Sequence, residues 1–218
     1  MSHETTTRTR TLILVPAMIT LAVTLLRLVG ELQGWSETLF NRAAGGGGAI
    51  VGIAWLVPVF GAWFGWKLTR AGSGPGGIGR ALGLTLLALV LVPALGFLAD
   101  KAGIEQQSFT IFGILVAGSI AALFLGLRAW PALGRTLLSY GLAARIPVVL
   151  VMLAAILGNW GTHYDVAPPN FPEMSPVARW LAIGLLPQLT FWIAYTVVVG
   201  ALFGIAAAAV ARRKPAAA

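Results

Sequence analysis

Apolar runs of about twenty residues, parted by short polar stretches, set the rhythm of the chain. The runs at 12–30, 49–68, 81–99, 109–127 and 137–157 each have the length that carries an α-helix across a hydrocarbon core about 30 Å thick. A last apolar run, 177–211, would make a helix of roughly 52 Å at 1.5 Å per residue, too long for one crossing. Ser175-Pro176 has the form of a helix start, and Pro187 removes a backbone donor within the run. Residues 176–186 are therefore expected to form a short helix along the outer interface, with 187–210 as the sixth crossing. One long, kinked helix is the alternative.

The expected fold is all-α: a polytopic integral membrane bundle of six transmembrane helices over residues 11–211. Outer loops 31–48 and 158–176 would cap it, and residues 1–10 and 212–218 would be short tails. The first apolar run exceeds a signal-peptide core, and no small-x-small cleavage site follows it, so it is expected to be retained as a span.

Charge orients this bundle. Arg8, Arg10, Lys67, Arg70, Arg80, Arg128, Arg135, Arg212, Arg213 and Lys214 all fall in the tails and the 2–3 and 4–5 loops. The opposite loops hold only Arg42, Lys101 and Arg179, with most of the acidic residues. By the positive-inside rule both termini are cytoplasmic. The net charge of +8 is thus a membrane signal, and nucleic-acid binding is set aside. Trp35, Trp160 and Trp180 are expected at the outer interface and Trp66 and Trp130 at the inner one, while Trp55, Trp63 and Trp192 pack between helices.

Composition supports the same class. Hydrophobic residues make up 58% and charged residues 10%, with a mean hydropathy of +0.86, too little polar surface to coat a water-soluble domain of this size. The lack of cysteine excludes disulfides, thiolate metal sites and iron–sulfur clusters. Arginine outnumbers lysine, and alanine and glycine are abundant, which suggests a GC-rich bacterial genome and an inner-membrane location.

Small residues should govern packing. Gly48-x-x-x-Gly52, Gly61-x-x-x-Gly65 and Gly200-x-x-x-Gly204 match the spacing of close helix contacts. The fourth span, rich in Gly and Ala and free of proline, is expected to be a straight central helix or to receive a membrane protein partner. Leu56-Val57-Pro58 precedes Trp63 by the interval at which Leu186-Pro187 precedes Trp192, a faint sign of related hairpins.

Candidate chemistry is sparse. Arg145 falls near the middle of the fifth span, and an intramembrane arginine without a carboxylate in any span invites an anionic small molecule or lipid headgroup. The competing reading lets Arg145 snorkel toward the cytoplasm or use the Ala143 carbonyl that Pro147 leaves free. Tyr140 and Gln188 are candidates to share a pocket with it. Arg27 and Glu31 have the spacing of a structural helix pair. Asn159, His163, Asp165 and Glu173 form an outer-loop polar cluster that can do acid–base work or simply brace the loop. With one histidine there, no metal spacing results, and no cofactor is expected. Gly72-x-Gly74-x-x-Gly77 lacks the strand context of a nucleotide fingerprint. No span carries the histidines of a transmembrane haem or the paired acids of an intramembrane protease.

Two functions lead: a transport-related protein binding a small anionic or amphipathic ligand, or a non-catalytic scaffold in a larger membrane complex. An enzyme using His163 and Asp165 ranks below both.

Overall fold

A computed structural model describes residues 2–105 and 108–212, with side chains from Arg10 onward. The described residues are helical apart from connecting loops. The helices are α1 (Ser2–Leu32), α2 (Leu56–Arg70), α3 (Ile78–Lys101), α4 (Phe109–Ala129), α5 (Pro131–Gly158), α6 (Pro176–Arg179), α7 (Leu186–Leu189) and α8 (Phe191–Ala211). A π-helical turn, Trp180–Leu185, joins α6 to α7. Among the described residues, five stretches are long and apolar enough to cross a membrane: Arg10–Leu32, Ile78–Lys101, Phe109–Ala129, Pro131–Gly158 and Pro176–Ala211. The chain is a multi-pass membrane protein in contact with lipid.

Several boundaries differ from expectation for local reasons. Helix α1 begins at Ser2, within the expected tail, and runs on to Leu32, which brings Glu31 into the helix. Helix α5 starts at Pro131, a residue suited to a first helical position, and ends at Asn159 in the left-handed conformation. The largest departure is the second apolar run. Only α2 is a regular helix there, and its 15 residues span about 22 Å, short of a full crossing. Gly45, Gly46 and Gly48 take positive φ, so the chain approaches α2 through a 3₁₀ turn at Ala44–Gly46 and a series of bends.

The last run stays helical from Pro176 to Ala211 with a break at Thr190, in line with the continuous, kinked alternative. Ser175 Oγ accepts from the Ala178 amide at its start. Pro187 deprives the Ile183 carbonyl of its usual donor, and the π turn lies directly ahead of it.

Helix α8 is the centre of the bundle, packed on α2, α3, α4 and α5. That place was expected for α4, which instead turns Ile120 and Phe124 outward to lipid. The small residues of α4 are used within the fold: a Cβ on Gly118 would meet Leu95, and one on Gly126 would meet Val197. The two glycine pairs of α2 and α8 cross each other. A Cβ on Gly61 would lie 2.4 Å from the Gly200 carbonyl oxygen, and one on Gly65 2.3 Å from that of Gly204. The register 61:200 and 65:204 makes the two helices parallel. Gly48 and Gly52, in contrast, lie in the irregular segment, where a Cβ on Gly48 would meet Asn41 and one on Gly52 the Arg27 guanidinium of α1.

Around this crossing, Phe60, Phe64, Leu133, Leu137, Tyr140, Val197 and Ile205 fill the core. The tryptophans partly exchange their expected roles. Trp130 is buried and donates to the Ser73 carbonyl at 2.9 Å, whereas Trp55 and Trp63 face outward. Arg213 and Lys214, expected in the basic tail, lie outside the described residues.

Candidate functional site

A cavity of about 580 Å³ opens between α1, α5, the π turn, the start of α8 and the loops that follow α1 and α5. The irregular segment before α2 supplies much of its wall, through Gly46, Ile50, Gly52 and Ile53. Non-helical backbone at membrane depth is tolerated where it lines such a space. The remaining wall is mostly apolar, with Val23, Val148, Met152, Ile183 and Phe171 among its residues.

Arg145 lines this cavity at 4% exposure. Its guanidinium donates from Nη1 to Gln188 Oε1 at 3.2 Å and lies over the Trp192 ring, 4.4 Å from the centroid. Its Nε is buried with no hydrogen-bond partner, and no carboxylate among the described residues pairs with it. The snorkelling reading therefore fails. Trp192 and Gln188 hold the guanidinium inside the bundle, on the cavity wall. Gln188 is itself held by a contact from Nε2 to Met152 Sδ at 3.8 Å.

Tyr140 is not part of this wall. Its hydroxyl meets Thr20 Oγ1 at 2.8 Å, and its ring sits edge-on to Phe60 and Phe64. It ties α1 to α5 within the core.

The loops that follow α1 and α5 are fastened to α1 by a cluster that the sequence only half suggests. Glu31 is fully buried. Its Oε1 accepts from Arg27 Nε at 2.8 Å and faces His163 Nδ1 at 2.5 Å, while Oε2 accepts from the His163 amide at 2.8 Å. Arg27 also donates to the carbonyls of Asn41 and Gly46, both at 3.0 Å, and Arg42 donates to the Glu31 carbonyl. Arg27 thus holds the loop after α1 and Glu31 the loop after α5. The i, i+4 pair is present as expected, but it carries two loops as well. Glu31 itself was placed in a loop by sequence because the apolar pattern ends at Gly30.

The rest of the outer polar cluster is dispersed. Asp165 accepts from the Gly161 and Thr162 amides and the Thr162 hydroxyl, at 2.7–2.9 Å, and so closes its own turn. It does not form a dyad with His163. Asn159 caps α5, and Glu173 is exposed. No group of three potential metal ligands is gathered among the described residues.

Burial pushes His163 below its ordinary pKa, aided by the nearby Arg27 charge and opposed by Glu31 and Asp165. Burial likewise raises the Tyr164 phenol. For a histidine with a lowered folded-state value, stability is fully present above the unfolded value of about 6.5 and is lost as pH falls through the folded one. Thermal stability in detergent should accordingly drop between pH 7 and pH 5. His163→Gln should flatten that slope; an unchanged slope would assign it to another group.

No protein-family model matches the chain, nor does any curated protein or solved structure, so function has to be read from the site itself.

Proposed function

We propose that the protein binds a small amphipathic anion in this cavity, as a ligand-binding or transport-related membrane protein. The charged end of the ligand would lie at Arg145 and Gln188, and its apolar body among Val148, Met152, Ile183 and Phe171. The observation that carries this reading is a 4%-exposed arginine on a cavity wall with no carboxylate among the described residues to balance it. Burying such a charge is costly unless an anion accompanies it. A volume of about 580 Å³ also lies within the range of small-molecule sites, about 300–1,000 Å³.

In this reading the chain crosses six times, with the irregular segment and α2 together making the second passage. Both termini are cytoplasmic, in keeping with the exposed Lys67, Arg70, Arg80, Arg128, Arg135 and Arg212. Loops 31–48 and 158–176 form the outer roof of the site.

The test is Arg145→Met, purified in native lipid particles beside the wild type, with mass spectrometry of acidic molecules that co-purify. The variant should lose the retained anion while its folded yield stays level or rises, because an apolar replacement removes an uncompensated buried charge. Equal loss of yield and ligand would make Arg145 structural. Repeating the comparison after delipidation separates a lipid from a soluble anion. Recovery of the same ligand by the variant would overturn the proposal.

A further inference from the structure

The outward face of α2 and of Trp55, which caps it and also borders the cavity, carries a second arrangement suited to a ligand, its charged end more than two turns from the cavity wall. Trp55, Val59, Trp63 and Trp66 are 54%, 52%, 39% and 42% exposed, and their spacing of four, four and three residues places them on one face. The opposite face is buried on α8 through Gly61 and Gly65. This apolar stripe runs about 16 Å along the helix and ends in Lys67 and Arg70, in the last turn.

Those two cations are positioned by the indoles. Lys67 Nζ lies 4.5 Å from the Trp63 centroid and 6.0 Å from that of Trp66, and the Arg70 guanidinium carbon is 5.9 Å from Trp66. The two rings are 6.3 Å apart. Both basic residues are exposed, and neither forms an ion pair among the described residues. The helix C-terminus adds to the demand for positive charge that Lys67 and Arg70 meet, and Thr69 turns its hydroxyl back to the Gly65 carbonyl at 2.8 Å. Among the described residues, no carboxylate faces either cation.

We infer that Lys67 and Arg70, seated on Trp63 and Trp66, form a binding site for the phosphate of an anionic phospholipid whose acyl chain lies along the Trp55–Val59–Trp63 stripe. Length and polarity argue for this occupant. An apolar track at membrane depth that ends in two unpaired cations at an aromatic boundary complements a lipid with a negative headgroup. A protein helix docked on the same stripe would leave both charges without a partner. The indoles hold the ammonium and guanidinium in place through cation–π contacts, so less side-chain freedom is lost on binding than at an isolated surface lysine.

The experiment is native mass spectrometry of the full chain with added phosphatidylglycerol or phosphatidylcholine. The wild type should retain one phosphatidylglycerol in preference to phosphatidylcholine. Lys67→Gln with Arg70→Gln should reduce that preference by roughly fivefold for each cation removed. Both side chains are exposed, so the fold should survive, and an unchanged melting temperature checks this. Arg128→Gln with Arg135→Gln removes two exposed charges, assigned to the same end of the bundle, that lie over no indole ring among the described residues. A loss equal to that of the Lys67 and Arg70 variant would show diffuse charge attraction and overturn the site, as would a wild type indifferent to headgroup.

Discussion

Gly65→Val will prevent α2 and α8 from closing, and the protein will be recovered unfolded or not at all. At this crossing the first atom of any side chain would come 2.3 Å from the Gly204 carbonyl oxygen, and Gly61 has the same relation to Gly200 at 2.4 Å. The obstacle is backbone, so no rotamer change relieves it. Even Gly65→Ala should cost about 1–3 kcal/mol, as overpacking does elsewhere, although alanine is the better helix former by about 1 kcal/mol. Gly83→Ala is the control. Nothing lies within 4 Å of a Cβ there, so the substitution should be neutral or mildly stabilising. Thermal unfolding of the four proteins in one detergent checks the series, and a Gly65→Val protein as stable as the wild type would rule out the close crossing.

The second large effect is expected at Glu31. Glu31→Ala leaves Arg27 without its carboxylate and His163 without its two contacts, and breaking a buried ion pair on one side costs about 3–5 kcal/mol. Both loops should loosen together, which hydrogen exchange at residues 41–46 and 159–166 would report as a shared loss of protection. Replacing Arg27 and Glu31 together with methionine should cost less than Glu31→Ala alone, because no charge is then stranded. A Glu31→Ala protein destabilised by less than about 1 kcal/mol would reduce the cluster to a surface-type pair.

What the sequence reveals about this fold depends on the range of the interaction involved. Apolar length is written locally, and it locates α1, α3, α4, α5 and the final helical run. The pairing of Gly61 and Gly65 with Gly200 and Gly204 is suggested by spacing, but nothing in the spacing names the partner. Helix α4 has more small residues than α8 in its central stretch, yet α8 lies at the centre, because centrality follows from how many neighbours a helix has. The irregular approach to α2 is visible in Gly45–Gly48 only to a reader who lets glycine outweigh hydropathy.

The site divides in the same way. Arg145 stands out because a charge interrupts an apolar run, and Gln188 joins it across 43 positions. Tyr140 is equally polar by type, but its hydroxyl is used by Thr20 on another helix. Glu31 is missed as a buried residue because its burial depends on His163, contributed by a loop 132 positions later.

That separation has a consequence for how the chain is made. At about 5–20 residues per second, the ribosome needs roughly 7–26 seconds after Glu31 to produce His163. Throughout that interval α1 carries a carboxylate with no loop to receive it. Arg27, one turn away on the same helix, is synthesised first and can neutralise it at once. On this order of synthesis the pair would neutralise itself first and anchor the two loops once translation has delivered them.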